Sequence, residues 1–266
     1  MPQIFDNVTL KLIEGLEKAF DKAVAASFCI GYLNLRGWDQ VAGLVETLQG
    51  GDEDHACRVL VGMYRPPDEE MRALASLRLE QEAIDGQVRA RLISRIEQIF
   101  RDQLTVGVPS ASVEQALRGL AAQLRARKVF VKAFLQYPLH AKLYLVQRDD
   151  PVAPLVGFVG SSNLTLAGLS RQGELNVDVV EQDAAKKLQA WFDERWGDEL
   201  AVDLSDKLAT LIETSWARSK LVRPYLVYLK IAYHLSEEAG EEESRFRAPQ
   251  IFAEKGTPLL NFQEKA

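Results

Sequence analysis

The sequence is poor in the residues that most often build metal centres and disulfide frameworks. Its 266 residues include two cysteines and three histidines. Cys29 and Cys57 lie in apolar segments, which favours small buried thiols in a reducing compartment over a disulfide. Of the histidines, His55 alone is close in sequence to a cysteine, so a zinc site has almost no ligands available. We therefore expect chemistry that needs no protein-bound metal or other cofactor.

Long apolar runs and an excess of positive charge are also missing. No apolar stretch reaches the length of about 20 residues that a transmembrane helix needs, and the N-terminus has no signal-peptide pattern. We expect a cytoplasmic protein with no membrane partner. The 38 acidic residues outnumber the 32 basic ones and give a net charge of −6. Any nucleic-acid binding must therefore come from a local basic patch.

The hydrophobic pattern alternates between helices and short buried strands, which is typical of an α/β fold. Strands are predicted at 27–33, 58–63, 129–135, 141–147, 155–160 and 175–181. Helices are predicted at 6–24, at 37–48, within 67–104, at 113–128 and from 182 to about 235, the last region with breaks near Gly197 and Pro224. The first two strands are continuous apolar runs separated by a helix. We therefore expect a mixed, mostly parallel sheet flanked by helices.

Composition divides the chain into three predicted parts. A domain over 1–200 contains the alternating pattern, and a helical extension follows over 201–236. The acidic run from Glu237 to Glu243 and the Pro- and Gly-containing stretch after it predict a linker over 237–266.

The residues that carry chemistry lie between 138 and 181. His140 and Lys142 are two apart at the start of a predicted strand, so we expect both side chains on one face. The next strand ends in Gly160-Ser161-Ser162-Asn163, where a glycine turn, short polar side chains and backbone N–H groups favour an anion-binding concavity. Glu174 then opens the following strand.

These side chains match the needs of phosphodiester cleavage without a metal, namely a nucleophile and donors for the phosphate oxygens. His140 is the candidate nucleophile. Lys142 and Asn163 are the candidate clamp on the phosphate, with Ser161 and Ser162 as further phosphate ligands.

The same chemistry needs an orienting group and an acid. Glu174 is expected to fix the tautomer of the His140 imidazole through its second ring nitrogen. Neither His55 nor His234 is followed by a lysine in an H-x-K pattern. The chain therefore lacks a second imidazole in a similar setting to protonate the leaving oxygen.

The order of H-x-K, G-S-x-N and a later glutamate resembles the HKD motif of the phospholipase D superfamily. In its bacterial nuclease branch, each chain carries one motif and two chains form one active site. The resemblance implies a mixed sheet flanked by helices and metal-independent cleavage through a phosphohistidine. It also implies a homodimer in which His140 attacks and the partner subunit's His140 protonates the leaving group. Gln147 departs from the pattern, because the family has an aspartate five positions after the lysine.

A basic stretch around the motif indicates a polyanionic substrate. From 111 to 148 the sequence has seven basic residues and one acidic residue. Arg125, Arg127, Lys128 and Lys132 are the predicted nucleic-acid contacts, because screening confines each charge to about 10 Å and lets a local patch act in an acidic chain. DNA is the expected partner, and RNA fits the same pattern. A solvated helix face is the alternative interpretation.

The last ten residues carry a second resemblance. Residues 257–266 resemble the segment before the first ATPase motif of helicase-like motor proteins, where an aromatic-Gln pair contacts adenine. No G-x-x-x-x-G-K-[ST] loop is present in the sequence. The resemblance implies the N-terminal nuclease module of a helicase-related protein, covalently linked to an ATPase domain. An ordinary amphipathic tail is the alternative.

Two functions of different classes are therefore predicted. The first is a metal-independent nuclease that acts on DNA as a homodimer. The second is a catalytically silent module that binds DNA and dimerises to place a motor, an alternative motivated by Gln147 and by the acidic net charge. Lipid hydrolysis is less favoured, because the sequence shows no amphipathic anchor.

Overall fold

The computed structural model describes residues 2–62, 86–105, 111–215 and Tyr228. The chain separates into the units Met1–Ser219 and Lys220–Ala266, and the elements below belong to the first. The predicted linker over 237–266 lies outside the described residues, and the domain boundaries at 200 and 236 stay predictions. None of the helices in the described segments combines the length and the apolar character that crossing a membrane demands.

One sheet of eight strands runs through the described residues. In chain order the strands are β1 (Ile4–Phe5), β2 (Ala23–Ile30), β3 (Cys57–Val61), β4 (Val129–Phe134), β5 (Leu143–Arg148), β6 (Leu155–Gly160), β7 (Asn176–Val179) and β8 (Ala201–Asp203). Across the sheet their order is β1-β7-β6-β5-β2-β3-β4-β8. Strands β2, β3 and β4 run parallel, and the other neighbouring pairs are antiparallel.

The α/β class and the mixed sheet are confirmed, but the expectation of mostly parallel pairing is wrong. In the described sheet, two neighbouring pairs are parallel and five are antiparallel. For β5 and β6 the reason is the length of the connection. Six residues, 149–154, join β5 to β6, whereas a parallel crossover needs about a dozen or more. The parallel pairing predicted from the first β-α-β unit is correct for β2 and β3. It does not extend to β5, β6, β7 and β8, which pair antiparallel.

Helices cover both faces of this sheet. The described helices are α1 (Leu12–Ala19), α2 (Asp39–Glu46), α3 (Gly86–Thr105), α4 (Ala111–Arg125), α5 (Leu166–Ser170), α6 (Gln182–Trp196) and α7 (Ser205–Thr214), with a 3₁₀ turn at Glu53–His55. Helix α6 packs into a core on one face, and the other helices contribute to a larger core on the opposite face. The described part of the first unit is thus layered as helix, sheet and helix.

The two cores follow from the alternation of side chains along each strand. On β2, Phe28 and Ile30 belong to the larger core and Cys29 to the smaller one. Burying such an apolar side chain contributes about 1.5–3 kcal/mol. Cys29 and Cys57 are both buried free thiols, as predicted. Burial raises the pKa of the Cys29 thiol to about 12.

Two element boundaries differ from prediction for local reasons. Helix α1 begins at Leu12 because the Asp6 carboxylate accepts hydrogen bonds from the backbone N–H groups of Val8, Thr9 and Leu10, which closes a turn before the helix. The predicted break near Gly197 is confirmed, because α6 ends at Trp196 with Gly197 as its C-cap, but the chain then forms the edge strand β8, which pairs with β4. The described part of the predicted helical extension therefore begins with a strand.

Candidate active site

The H-x-K segment lies in the loop before β5, at the edge of the sheet where β2 and β3 end. The Leu139 N–H donates to the Gly62 carbonyl just after β3, at 2.9 Å. His140 and Lys142 therefore lie just before β5, whereas the sequence pattern predicted them at the start of a strand. Their side chains nevertheless meet. Lys142 Nζ lies 2.6 Å from His140 Nε2, and it donates to the His140 carbonyl at 3.0 Å.

The two members of this pair differ in exposure. The His140 side chain is exposed, whereas Lys142 is only 6% exposed. Burial lowers the pKa of Lys142 below its usual value of 10.5, and the nearby Glu174 carboxylate and Cys29 thiol oppose that shift. When Lys142 is charged, its ammonium donates to Nε2, and the neutral imidazole then carries its own proton on Nδ1. This hydrogen bond from Lys142 thereby keeps the lone pair of the His140 imidazole on Nε2.

The register of β5 and β6 brings the G-S-x-N segment beside this pair. The Gly160 N–H donates to the Lys142 carbonyl at 3.3 Å. A Cβ at position 160 would collide with the Leu175 carbonyl oxygen and with Asn176, so a side chain is excluded where β6 meets β7. The sequence predicted a glycine-based turn here. The structure shows that the glycine instead permits this close approach.

Asn163 completes the group, and the end of β2 fixes its amide. The Tyr32 N–H donates to Asn163 Oδ1 at 3.1 Å, so the NH₂ group of the amide points the other way. Among the residues that the structure describes, none accepts a hydrogen bond from Asn163 Nδ2. Gly31 lies under the site, where an added Cβ would be 3.1 Å from both Asn163 Oδ1 and His140 Cδ2 and 3.5 Å from Lys142 Nζ. The structure thus brings together the three residues predicted as nucleophile and clamp.

Gly31 and the backbone of Tyr32 are the functional positions that sequence reasoning missed. Neither carries a reactive side chain, and both lie more than 100 positions from His140 in sequence. A glycine directly after a buried apolar strand was the available signal, because such a residue often marks a close backbone approach.

The prediction that Ser162 binds phosphate is wrong. Ser162 is fully buried. Its Oγ accepts a hydrogen bond from Asn176 Nδ2 at 2.8 Å, and its carbonyl accepts one from the Tyr144 hydroxyl at 2.9 Å. Ser162 therefore braces the loop from below, while Asn163 faces the site.

Ser161 and Glu174 form a second pair at the rim. The Ser161 hydroxyl donates to the Glu174 carboxylate and accepts from the Leu175 N–H at 3.0 Å. Within the described residues, no hydrogen bond joins Glu174 to His140, so the predicted control of the imidazole tautomer by Glu174 is not seen. The hydroxyl predicted to bind phosphate is instead engaged by the carboxylate. Glu174 acts on the site through its charge, which raises the pKa of Lys142.

The predicted nucleic-acid contacts lie at the other edge of the sheet. Arg125 ends α4, and Arg127 and Lys128 come directly before β4. Because β3 and β4 are parallel, the start of β4 is separated from the site by the length of a strand, about 17–20 Å. Lys132 lies within β4, where its Nζ is 4.4 Å from the Trp196 ring centroid and 3.7 Å from Glu53 Oε1. The prediction that these cations surround the motif is wrong.

Carboxylates distant in sequence also neutralise most of these cations. Arg125 pairs with Glu213 at 2.7 Å and with Asp206 at 3.2 Å. Lys128 pairs with Glu46 at 2.8 Å and holds the pKa of that carboxyl below its usual value. Such partners cannot be found by counting charges along a local stretch.

Two further observations bear on the sequence predictions. In residues 2–62, 86–105 and 111–215, no three His, Cys, Asp or Glu side chains are grouped so that they could hold a metal ion. His55 lies before the start of β3, at the edge opposite His140, and its Nδ1 is 2.8 Å from Asp52 Oδ1.

Comparison with solved structures finds many similar chains, among them three of low sequence identity. The phospholipase D family member Nuc from Salmonella typhimurium has a TM-score of 0.41 at 12% identity, over 76% of this chain and 97% of its own. NucT from Helicobacter pylori gives 0.41 at 7% identity, over 76% of this chain and 98% of its own. Phosphatidylserine synthase from Haemophilus influenzae Rd KW20 gives 0.43 at 12% identity, over 80% of this chain and 44% of its own.

Sequence comparison gives a more direct result. No curated protein sequence matches this chain significantly. A family model described as "Cardiolipin synthase, PLD-like domain" matches residues 55–196, which is more than half of the chain and includes His140, Lys142, Asn163 and Glu174. The chain therefore belongs to this PLD-like domain family of the phospholipase D superfamily.

Proposed function

We propose that this protein is a metal-independent phosphodiesterase that cleaves DNA through a phosphohistidine on His140, in an active site shared by two chains. The observation that carries the proposal is the contact of 2.6 Å between Lys142 Nζ and the Nε2 atom of an exposed imidazole. A buried ammonium is costly unless an anion or strong acceptors compensate for its lost hydration. The nearby Glu174 carboxylate accepts a hydrogen bond from the Ser161 hydroxyl. The Lys142 ammonium therefore remains directed at the exposed side of the site.

The proposed reaction begins when a phosphate oxygen replaces Nε2 as the acceptor for Lys142. The freed lone pair on Nε2 attacks phosphorus, and the bond from phosphorus to the leaving oxygen breaks. An acid gives that oxygen its proton. Water then attacks phosphorus, loses a proton to the same group, and the Nε2–phosphorus bond breaks. Lys142 and the Asn163 NH₂ group stabilise the negative charge on the non-bridging oxygens in both transition states.

A second chain is proposed as the source of the acid. Of the histidines in the described part of the chain, His55 lies at the opposite edge of the sheet and is bonded to Asp52. The partner subunit's His140 would supply the proton. Apolar side chains near the site support such an interface, because Ile4 is 63% exposed, Leu175 65% and Val159 36%.

DNA is the proposed substrate because the site is open at the sheet edge, where His140 and Ser161 are both exposed to a large polyanion. The family description names cardiolipin synthase, so a lipid phosphodiester is the competing substrate class. The proposed covalent link to a helicase-like ATPase domain rests on residues 257–266, which lie outside the described part.

The experiment that tests the proposal compares wild type, His140→Ala and the matched control His55→Ala in EDTA. Substrates are circular DNA and vesicles containing cardiolipin or phosphatidylglycerol. We expect wild type and His55→Ala to cleave DNA and His140→Ala to be inactive. Cleavage that needs Mg²⁺ or survives in His140→Ala would contradict the mechanism. Turnover of lipid without DNA cleavage would contradict the substrate, and equal salt-dependent DNA binding by all three without cleavage would favour the silent module.

The shared site is tested by mixing subunits. If wild-type and His140→Ala chains assemble at random in equal amounts, about one quarter of the dimers carry both histidines, so activity falls to about half that of the same amount of wild type alone. Independent sites would leave the activity unchanged. Ile4→Arg should weaken both assembly and cleavage. Val152→Arg is the matched control, because Val152 is 84% exposed in the turn before β6 and distant from the site.

A further inference from the structure

We propose that residues 31–35, the segment that follows β2, are the positioning element of the phosphate clamp, and that Gly31 sets how closely the three functional side chains converge. The proposal rests on the proposed function, since it assigns a role within the same site. It concerns residues that carry no reactive side chain and act through Asn163, His140 and Lys142.

The segment runs beside the Asn163 loop as a short parallel ladder. The Tyr32 N–H donates to Asn163 Oδ1 at 3.1 Å, Leu33 forms a parallel bridge with Leu164, and the Asn34 N–H donates to the Leu164 carbonyl at 3.4 Å. The first of these bonds decides which end of the amide faces the site. Because a backbone N–H can only donate, it holds the amide oxygen and turns the two NH₂ hydrogens toward a ligand.

Gly31 lies at the point where the side chains of His140, Asn163 and Lys142 converge. A Cβ at this position would lie 3.1 Å from His140 Cδ2, 3.1 Å from Asn163 Oδ1 and 3.5 Å from Lys142 Nζ. The first two separations are shorter than ordinary carbon contacts, so a methyl group would force the imidazole and the amide apart by a few tenths of an ångström. In a phosphoryl-transfer site, small displacements of nucleophile and clamp translate into large losses of rate.

A helix anchors the far end of the segment. The Gln103 amide of α3 accepts a hydrogen bond from the Leu35 N–H at 3.1 Å and donates to the Leu33 carbonyl at 3.0 Å. This two-point attachment holds residues 33–35 against the fold. Gln103 therefore fixes one end of the ladder, and Asn163 lies at the other.

The test compares Gly31→Ala with Gly43→Ala. An added Cβ at Gly43, in α2, would meet nothing within 4 Å, so this control adds the same methyl group without crowding. With bis(p-nitrophenyl) phosphate in EDTA, we expect Gly31→Ala to lower kcat about tenfold or more with little change in KM. Gly31→Ala should remain folded, and Gly43→Ala should be at least as stable as wild type, because alanine is the better helix former. Gln103→Met should lower kcat in the same way and more weakly. It serves as the second variant should Gly31→Ala fail to fold.

A second readout does not depend on turnover. The Asn163 side-chain amide signal is assigned by its loss in Asn163→Asp and followed by NMR during titration with inorganic phosphate. We expect a shift in wild type and Gly43→Ala and a much smaller one in Gly31→Ala. Wild-type kcat and an unchanged phosphate response in Gly31→Ala would overturn the proposal. An inactive wild type whose Asn163 responds to phosphate in a Gly31-dependent way would instead support the positioning role and contradict the proposed function.

Discussion

The two edges of the sheet treat positive charge in opposite ways. At the edge where β2 and β3 end, Lys142 is buried beside an imidazole, and the nearby Glu174 carboxylate accepts a hydrogen bond from Ser161. At the edge where β4 begins, Arg125 and Lys128 are paired with carboxylates from α7 and α2. Lys142 is the cation that we propose binds a ligand, whereas Arg125 and Lys128 form ion pairs between elements.

This difference shows that the availability of a charge matters more than its count. The sequence around β4 is the most basic stretch, yet ion pairs neutralise most of it. In the proposed mechanism, the buried Lys142 of the motif carries the electrostatic function of the site, because low local dielectric would strengthen its interaction with a phosphate.

The largest effect is expected from Lys142→Met, which keeps the buried aliphatic stem and removes the charge. Loss of one preorganised donor to a transition-state oxyanion costs about 10²–10³ in rate, so kcat should fall at least that far. Lys128→Met, at the other edge, is the control and should cleave like wild type. Equal losses in both variants would erase the distinction between the two edges.

A smaller effect is expected from Glu174→Gln on the pH profile. The phosphate clamp needs the Lys142 ammonium, and burial lowers its pKa, so activity should decline with rising pH below the usual value of 10.5. The Glu174 carboxylate raises that pKa, so removing its charge should move the alkaline decline to still lower pH. Ser161→Ala breaks the rim hydrogen bond but keeps the charge, and its profile should resemble wild type. An alkaline limb that stays in place in Glu174→Gln would contradict the assignment.

Arg125→Ala, at the edge where β4 begins, should change both stability and DNA affinity little. Arg125 and its partners are substantially exposed, so the loss of unfolding free energy should be small. DNA affinity should stay at the wild-type value at low and at moderate salt. A strong loss of salt-dependent affinity, measured by fluorescence anisotropy, would restore the β4 edge as a nucleic-acid surface.

The smallest effect concerns Asp6, in the turn before α1. Three backbone hydrogen bonds lower its pKa from 3.8 to about 2. A depressed pKa in the folded state means that the carboxylate stabilises the fold above pH 3.8, and that this contribution is lost as the pH falls toward 2. The stability difference between wild type and Asp6→Asn should be constant at neutral pH and shrink in that window. A difference that grows on acidification would contradict this sign.

Much of the fold could be predicted from hydrophobic periodicity. Strand β6 is predicted at its observed bounds, and β3 and β4 within two residues, because each is a short apolar run between polar segments. The direction of pairing could not be predicted from β2 and β3, since each connection sets it separately. The short edge strand β8 was missed because three residues carry too little pattern to interrupt a helical region.

The candidate site, like the fold, could be predicted from the sequence only in part. His140, Lys142 and Asn163 could be found because they flank β5 and β6, two strands whose apolar pattern is clear in the sequence. The roles of Ser162 and Glu174 could not, since they depend on partners such as Asn176 and Ser161 that the tertiary packing selects. Gly31 shows the limit most clearly, because its contribution is the absence of a side chain at a point where three others meet.

The central claim is that His140 becomes covalently attached to the phosphate during turnover. Its most direct test is to denature the enzyme rapidly during cleavage of DNA in EDTA, isolate protein–DNA adducts and locate the attachment by peptide mass spectrometry. We predict an adduct on the peptide that contains His140, absent in His140→Ala and present in His55→Ala. Cleavage in a single turnover with no adduct, or an adduct on another residue, would contradict the account.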